Sequence, residues 1–267
     1  MKPEDSLDKW TSGAAYERWM GRWSRLLAGK FLRWLNIPTG ARWLDVCCGS
    51  GAVTQAIVEH CSPAGVSAID ASPEQIAFAR EHRSSPLATF EVADAMALPF
   101  DDASFDAAVS GFGLNFIPQP ERALHEMRRV TRSGGTVAAY VWDYAPGALF
   151  LRQFWDAAIE VDPEAAAFDQ ARRFPICTPD ALRTLFEKAN LREVTHESLQ
   201  VETRFADFAD YWEPFSGGQG SAPIYLATRS EHIRNTIRER LRASLASDSN
   251  GTISLPARAW AIRASRP

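Results

Sequence analysis

The stretch Trp43-Leu44-Asp45-Val46-Cys47-Cys48-Gly49-Ser50-Gly51 constrains this chain more than any other. It reads as a short buried strand that stops abruptly in a turn of small residues. Ala52, Val53, Ala56 and Ile57 then recur at helical spacing, so a helix opens from the turn. Strand, glycine turn and helix N-terminus together make a nucleotide site in an α/β sheet. The glycines let a ligand approach the backbone, and free N–H groups of the first helical turn point at it. The spacing separates cofactor classes. A dinucleotide fingerprint needs a third small residue where Thr54 stands, and a phosphate loop needs a Gly-Lys-Ser/Thr that is absent. What remains is Asp-x-x-x-Gly-x-Gly. An acid at the strand end, Asp45, suits a ligand end that carries an amine rather than a pyrophosphate.

A second buried strand, Val66 to Ile69, also ends in an acid, Asp70. A carboxylate there can accept both hydrogen bonds of a ribose diol. Ser72-Pro73-Glu74-Gln75 opens the next helix, with Ser72 as N-cap, Pro73 in first position and Gln75 as capping-box partner. Phe90 to Met96 is a third strand with Asp94 at its tip, and Ala107 to Ser110 is a fourth.

These stretches resemble the motifs of the class I S-adenosylmethionine (SAM) dependent methyltransferases, motif I being the glycine turn. The resemblance covers residues 14–145 well and the remainder loosely. It is nearest to the type 11 methyltransferases, including the ubiquinone and menaquinone enzymes. It implies an α/β, Rossmann-like sheet of seven strands, mostly parallel with an antiparallel last strand. It implies SAM as cofactor and S-adenosylhomocysteine as product. The cofactor-binding residues carried over are Tyr16, Arg22, Asp45, Cys47, Gly49, Ser50, Gly51, Asp70, Ala71, Ile76, Asp94, Ala95, Met96 and Ser110. Asp94 and the N–H of Ala95 inherit the reading of the adenine edge. Ser110-Gly111-Phe112-Gly113 stands where enzymes acting on exocyclic or amide nitrogens carry Asn/Asp-Pro-Pro-aromatic. That departure disfavours DNA-base modification.

Composition narrows the partners. The net charge of -4 over 267 residues gives no support to nucleic-acid binding. No apolar run is long enough to span a bilayer, and Met1 to Ser6 lacks a signal region, so the cytoplasm is the expected address. Cys47, Cys48, Cys61 and Cys177 form no CxxC pair, which points away from zinc and from a disulfide framework. The paired thiols read as small turn residues rather than as arsenite chemistry.

One domain is expected over 1–267, with a helical arm at 1–40, a SAM-binding core at 41–145 and a C-terminal half at 146–267. That half carries a lid insertion near 206–250. In the arm, Tyr16, Trp19, Met20, Trp23, Leu27 and Phe31 recur at helical spacing, and Gly21 permits a bend. By resemblance the arm folds over the cofactor and roofs the acceptor pocket. Pro120 to Thr131 is an amphipathic helix with a solvated His125, stopped by Ser133-Gly134-Gly135 ahead of a fifth strand, Thr136 to Trp142. Val194 to Phe205 is a sixth strand, a helix starts near Ser230, and Thr252 to Ala264 is the antiparallel last strand.

Methyl transfer from a sulfonium needs the acceptor held in line, at near-attack distance, in a dry site. Trp19, Trp23, Phe112, Asn115, Trp142, Tyr211 and Trp212 are the expected acceptor contacts, the aromatic ones because they would line an apolar or aromatic-acceptor pocket. Asn115, Tyr140 and Asp143 lie at strand mouths and are read as orienting groups rather than bases. The expected partner is a small-molecule methyl acceptor, with no nucleic acid and no stable membrane insertion. A non-catalytic SAM sensor and, less favoured, a nicotinamide-dependent oxidoreductase remain as alternatives. The methylated atom, the catalytic base and the oligomeric state are left open.

Overall fold

A computed structural model describes Gly13, residues 17–217 and residues 219–267, without the side chain of Arg18. Its strands are β1 (Arg42–Val46), β2 (Gly65–Asp70), β3 (Ala88–Val92), β4 (Phe105–Gly111), β5 (Thr131–Trp142), β6 (Arg192–Phe205) and β7 (Ile253–Ser265). They form one sheet in the order β3-β2-β1-β4-β5-β7-β6. The four pairings that join β1 to β5 run parallel, and β7 lies antiparallel to β5. Trp43, Leu44, Val46, Ala107, Ala108 and Val109 are buried, the continuous apolar character that a parallel sheet requires. Chain order reverses between β1 and β4. At such a switch point the crossover helices leave in opposite directions and open a crevice at the carboxyl ends of the strands.

Two local details differ from the sequence reading. Ser72 does cap the helix Pro73–His82, its hydroxyl accepting the Gln75 N–H at 3.2 Å. The Ser72 N–H, however, donates to the Asp70 carboxylate at 2.9 Å, so Asp70 does what Gln75 was expected to do. The helix Pro120–Val130 passes straight into β5 at Thr131. Ser133-Gly134-Gly135 is absorbed in a register shift opposite Phe105 and Ala107 rather than ending the helix. Gly134 takes φ +71°, and a Cβ at Gly135 would stand 2.7 Å from the Asp106 carbonyl oxygen. The glycines therefore serve a bulge.

The chain divides into two compact units. The larger comprises Thr11–Trp142, Ile176–Leu199 and Ala259–Pro267 and holds most of the sheet. The smaller includes Asp143–Pro175 and Gln200–Arg258. Its core is aromatic: Phe154 stacks on Phe215 at 4.5 Å and meets Trp155 edge-on at 5.0 Å. Asp162 accepts the Tyr225 hydroxyl at 2.9 Å and pairs with Arg229 at 3.0 Å. Among the described residues no helix is long and apolar enough to cross a membrane.

Candidate functional site

The turn after β1 carries three left-handed residues, Cys47 (φ +59°), Gly49 (φ +52°) and Gly51 (φ +84°). Two of them do different work. A Cβ on Gly51 would meet the Phe90 ring at 3.2 Å, so that glycine is needed for packing as well as for its backbone. A Cβ on Gly49 would meet nothing within 4 Å, which leaves that backbone open to a ligand. Cys47 has no such excuse for its strained conformation. Its side chain fits because residue 113 is glycine, where any Cβ would stand 2.4 Å from that of Cys47. The loops after β1 and β4 thus close on each other across the switch point. Phe112, next along, is also left-handed at φ +58°.

Asp70 ties this turn to β2. Its carboxylate accepts the Gly49 N–H and the Ser72 N–H, each at 2.9 Å, one on each oxygen. Burial nevertheless pushes its pKa up. Each oxygen keeps a further lone-pair direction for a ligand hydroxyl. At the next strand tip, Asp94 accepts the Met96 N–H at 2.8 Å, with Ala95 buried between them. Ile76 is buried and Ala71 exposed.

Asp45 is fully buried. One carboxylate oxygen accepts the Thr54 hydroxyl at 2.6 Å, and the other is buried without a partner. Burial raises its pKa to about 7. Thr54, which in the sequence only argued against a dinucleotide, is the group that holds Asp45. Ser110 Oγ and both amide atoms of Asn115 are also buried without partners, although Asn115 is only 7% exposed. Buried polar atoms are rarely left unpaired, and each one here requires an explanation. Phe112 stacks on Trp142 at 4.5 Å and meets Tyr140 edge-on at 4.6 Å. The β4 and β5 ends therefore present unpaired polar groups beside an aromatic cluster.

The remaining expected residues divide. Tyr16 lies outside the described residues. Trp19 and Trp23 are buried, and the Arg22 guanidinium lies 4.5 Å from the centre of the Trp23 ring. Gly21 makes no bend. Glu17–Gly21 form a π-turn that runs into the helix Arg22–Leu35, with Gly21 helical at φ -57°. Asp143 is held by Arg258 at 2.6 Å. In the smaller unit, the buried Tyr211 donates its hydroxyl to the Phe150 carbonyl at 3.0 Å, and Trp212 stacks parallel to Phe208. Two charged residues beside the turn, Glu17 and Arg83, escaped the sequence reading. Neither carries a local signal: Glu17 stands beside Arg18, and Arg83 ends the polar run Arg80-Glu81-His82.

Residues 44–139 match the family described as methyltransferase domain. The chain is 39% identical over 177 residues to a demethylmenaquinone methyltransferase of Staphylococcus aureus, covering 62% of this chain and 73% of that protein. It is 37% identical over 111 residues to the Bacillus licheniformis demethylmenaquinone methyltransferase, where it spans about half of the relative's length (47%). Among solved structures, it shares its fold with phosphoethanolamine N-methyltransferase 2 of Haemonchus contortus in complex with phosphomonomethylethanolamine and S-adenosylhomocysteine. The TM-score is 0.60 at 18% identity, over 96% of this chain and 57% of that one.

Proposed function

We propose, given that this chain belongs to the class I SAM-dependent methyltransferases, that it takes SAM at the carboxyl ends of β1, β2 and β4. We further propose that it methylates a small, flat, largely apolar or aromatic metabolite bearing a hydroxyl, in the manner of a quinol. The observation that carries this reading is the set of buried polar atoms without partners on Asp45, Ser110 and Asn115, beside the open backbone of Gly49. A ligand with an amine, hydroxyls and a planar polar edge would satisfy them.

The residues fit the cofactor. Asp45, with Arg22 and Tyr16, is assigned its amino-acid end, Cys47, Gly49, Ser50 and Gly51 the turn beneath it, Asp70 the ribose diol, and Asp94 with Ala95 and Met96 the adenine. Ala71, Ile76 and Ser110 complete the wall. Bound SAM supplies an electrophilic methyl group on a neutral leaving group. The protein's own task is to orient and to keep water out. Phe112 and Trp142, with Trp19 and Trp23, would offer apolar faces to the acceptor. The Asn115 amide donates to an acceptor oxygen as that oxygen gains charge, which stabilises an ionised, enolate-like form without itself taking a proton. The demethylmenaquinone methyltransferases among the relatives support a quinol-like acceptor.

Calorimetry with SAM, S-adenosylhomocysteine and NAD tests the cofactor, and NAD binding more tightly than SAM would overturn it. Mass spectrometry of a dihydroxynaphthalene incubated with SAM tests the acceptor class. A mass gain of one methylene equivalent, dependent on Asn115, is the expected result.

A further inference from the structure

The π-turn that opens the arm carries Glu17, whose carboxylate is only partly exposed. One oxygen accepts the Ser50 hydroxyl of the glycine turn at 2.6 Å and pairs with Arg83 at 3.2 Å. The other oxygen pairs with Arg25. The surroundings are shaped for this carboxylate. Gly21 makes room for it, because a Cβ there would stand 2.5 Å from a Glu17 oxygen. The Arg83 stem packs against Gly51 of the same turn, within 3.1 Å of where a Cβ would be. Farther out, Gly13 lies so close to Phe78 that a Cβ would meet its ring carbon at 2.4 Å. The arm thus touches both the turn after β1 and the helix after β2, which are the two elements that Asp70 also joins.

A surface ion pair is worth little when both partners are exposed, but here both are mostly covered, and the same carboxylate oxygen also accepts a hydroxyl from the turn itself. Ser50 lies in the segment a ligand must approach. A π-turn places Glu17 one residue out of the ordinary helical register, an arrangement that often accompanies function. We propose that Glu17 is a positioning residue for cofactor binding. Through Ser50 and Arg83 it latches the N-terminal arm to the glycine turn, so that arm and turn close on the cofactor as one piece. This rests on the SAM reading above.

The test is a double-mutant cycle on Glu17→Gln and Arg83→Met in the full chain, read by S-adenosylhomocysteine dissociation rate and by hydrogen exchange over residues 17–24. Each single change speeds dissociation about tenfold, and the double change adds little beyond either one. Exchange over 17–24 rises in both, with and without ligand, while that of β1 stays put. Arg83→Lys keeps most of the slow dissociation, and the reciprocal exchange Glu17→Arg with Arg83→Glu restores part of it. A merely structural pair would slow unfolding without this rescue of the dissociation rate. Additive effects, or unchanged dissociation with unchanged exchange, overturn the latch while leaving the SAM reading intact. Failure of the wild-type protein to bind S-adenosylhomocysteine overturns the SAM reading, and the latch with it.

Discussion

Two regions of this molecule looked alike as places where an acceptor could bind, and their polar atoms tell them apart. The carboxyl ends of β1 and β4 bring aromatic rings together with one unpaired oxygen of Asp45, the Ser110 hydroxyl and the Asn115 amide, all buried without partners. The aromatic cluster of the smaller unit is at least as rich in rings, yet Tyr211 donates to Phe150 and Tyr225 to Asp162. Aromatic density is therefore a poor guide to a binding site, because a core needs the same side chains. Unspent hydrogen-bonding capacity is the better guide, since burying it costs free energy that a ligand can return.

The largest effect expected from this contrast is on stability. Phe154 is fully buried between Phe215 and Trp155. Truncating it to Ala should cost about 3–5 kcal/mol, the usual range for an aromatic core residue. Urea unfolding measures this, and S-adenosylhomocysteine affinity in the folded protein should not move. A large loss of affinity with little loss of stability would mean that the cluster is a binding surface after all.

Next comes the orphaned carboxylate. The native Asp45 pKa, about 7, lies above its unfolded value of 3.8. Between those values the native state holds a proton that the unfolded state releases. The contribution of this group is then most favourable below pH 4, falls as pH rises toward 7 and is level above that. At about 1.4 kcal/mol per pH unit over roughly three units, wild type should lose roughly 4 kcal/mol relative to Asp45→Asn across this window. Unfolding free energies of both proteins against pH check it. Saturating SAM should shrink the loss if its ammonium group faces Asp45, and a parallel pair of curves would mean that the native pKa is unshifted despite burial.

How much of this was legible beforehand depends on range. The glycine turn and the acids at the tips of β1, β2 and β3 are written in short stretches, each with its own period and punctuation, whereas the antiparallel direction of the last strand follows from the family resemblance alone. The Ser72 cap was equally local. What could not be read is held by pairs far apart in the chain. Glu17 finds Ser50, and Arg258 finds Asp143, only once the sheet exists. In the sequence Gly21, a glycine amid aromatics, permits a bend, yet its missing side chain serves a neighbouring carboxylate. Ser133-Gly134-Gly135 has the composition of a helix C-cap, but a strand can equally use glycines in a bulge. In the sequence Thr54 is only the wrong residue for a dinucleotide, because its hydrogen bond to Asp45 joins a strand to the following helix.

A third expectation concerns affinity. Asp70→Ala removes the acceptor of the Gly49 and Ser72 N–H groups and, on the present reading, of the ribose hydroxyls. The cost to S-adenosylhomocysteine binding should be about 1–3 kcal/mol, or roughly five- to 150-fold. Unchanged affinity in a folded variant would take Asp70 out of the cofactor site and leave it a loop tie alone.

The smallest effect sharpens the comparison most. The sequence suggests Tyr211 as an acceptor contact, and in the structure it is 1% exposed with its hydroxyl on the Phe150 carbonyl. Burial holds that phenol well above its usual titration range, so it offers no base near neutral pH. Tyr211→Phe keeps the ring and deletes one neutral hydrogen bond. Stability should fall by about 1 kcal/mol, with the stranded carbonyl accounting for most of it. The KM for a methyl acceptor and the cofactor affinity should both stay at wild-type values. Asn115→Ala is the matched control on the other side. It removes a buried amide that has no partner to lose, so stability should hold or rise slightly while the acceptor KM climbs. If instead Tyr211→Phe raises the acceptor KM and Asn115→Ala leaves it alone, the two regions exchange roles, and unpaired buried atoms lose their standing as the marker of the site.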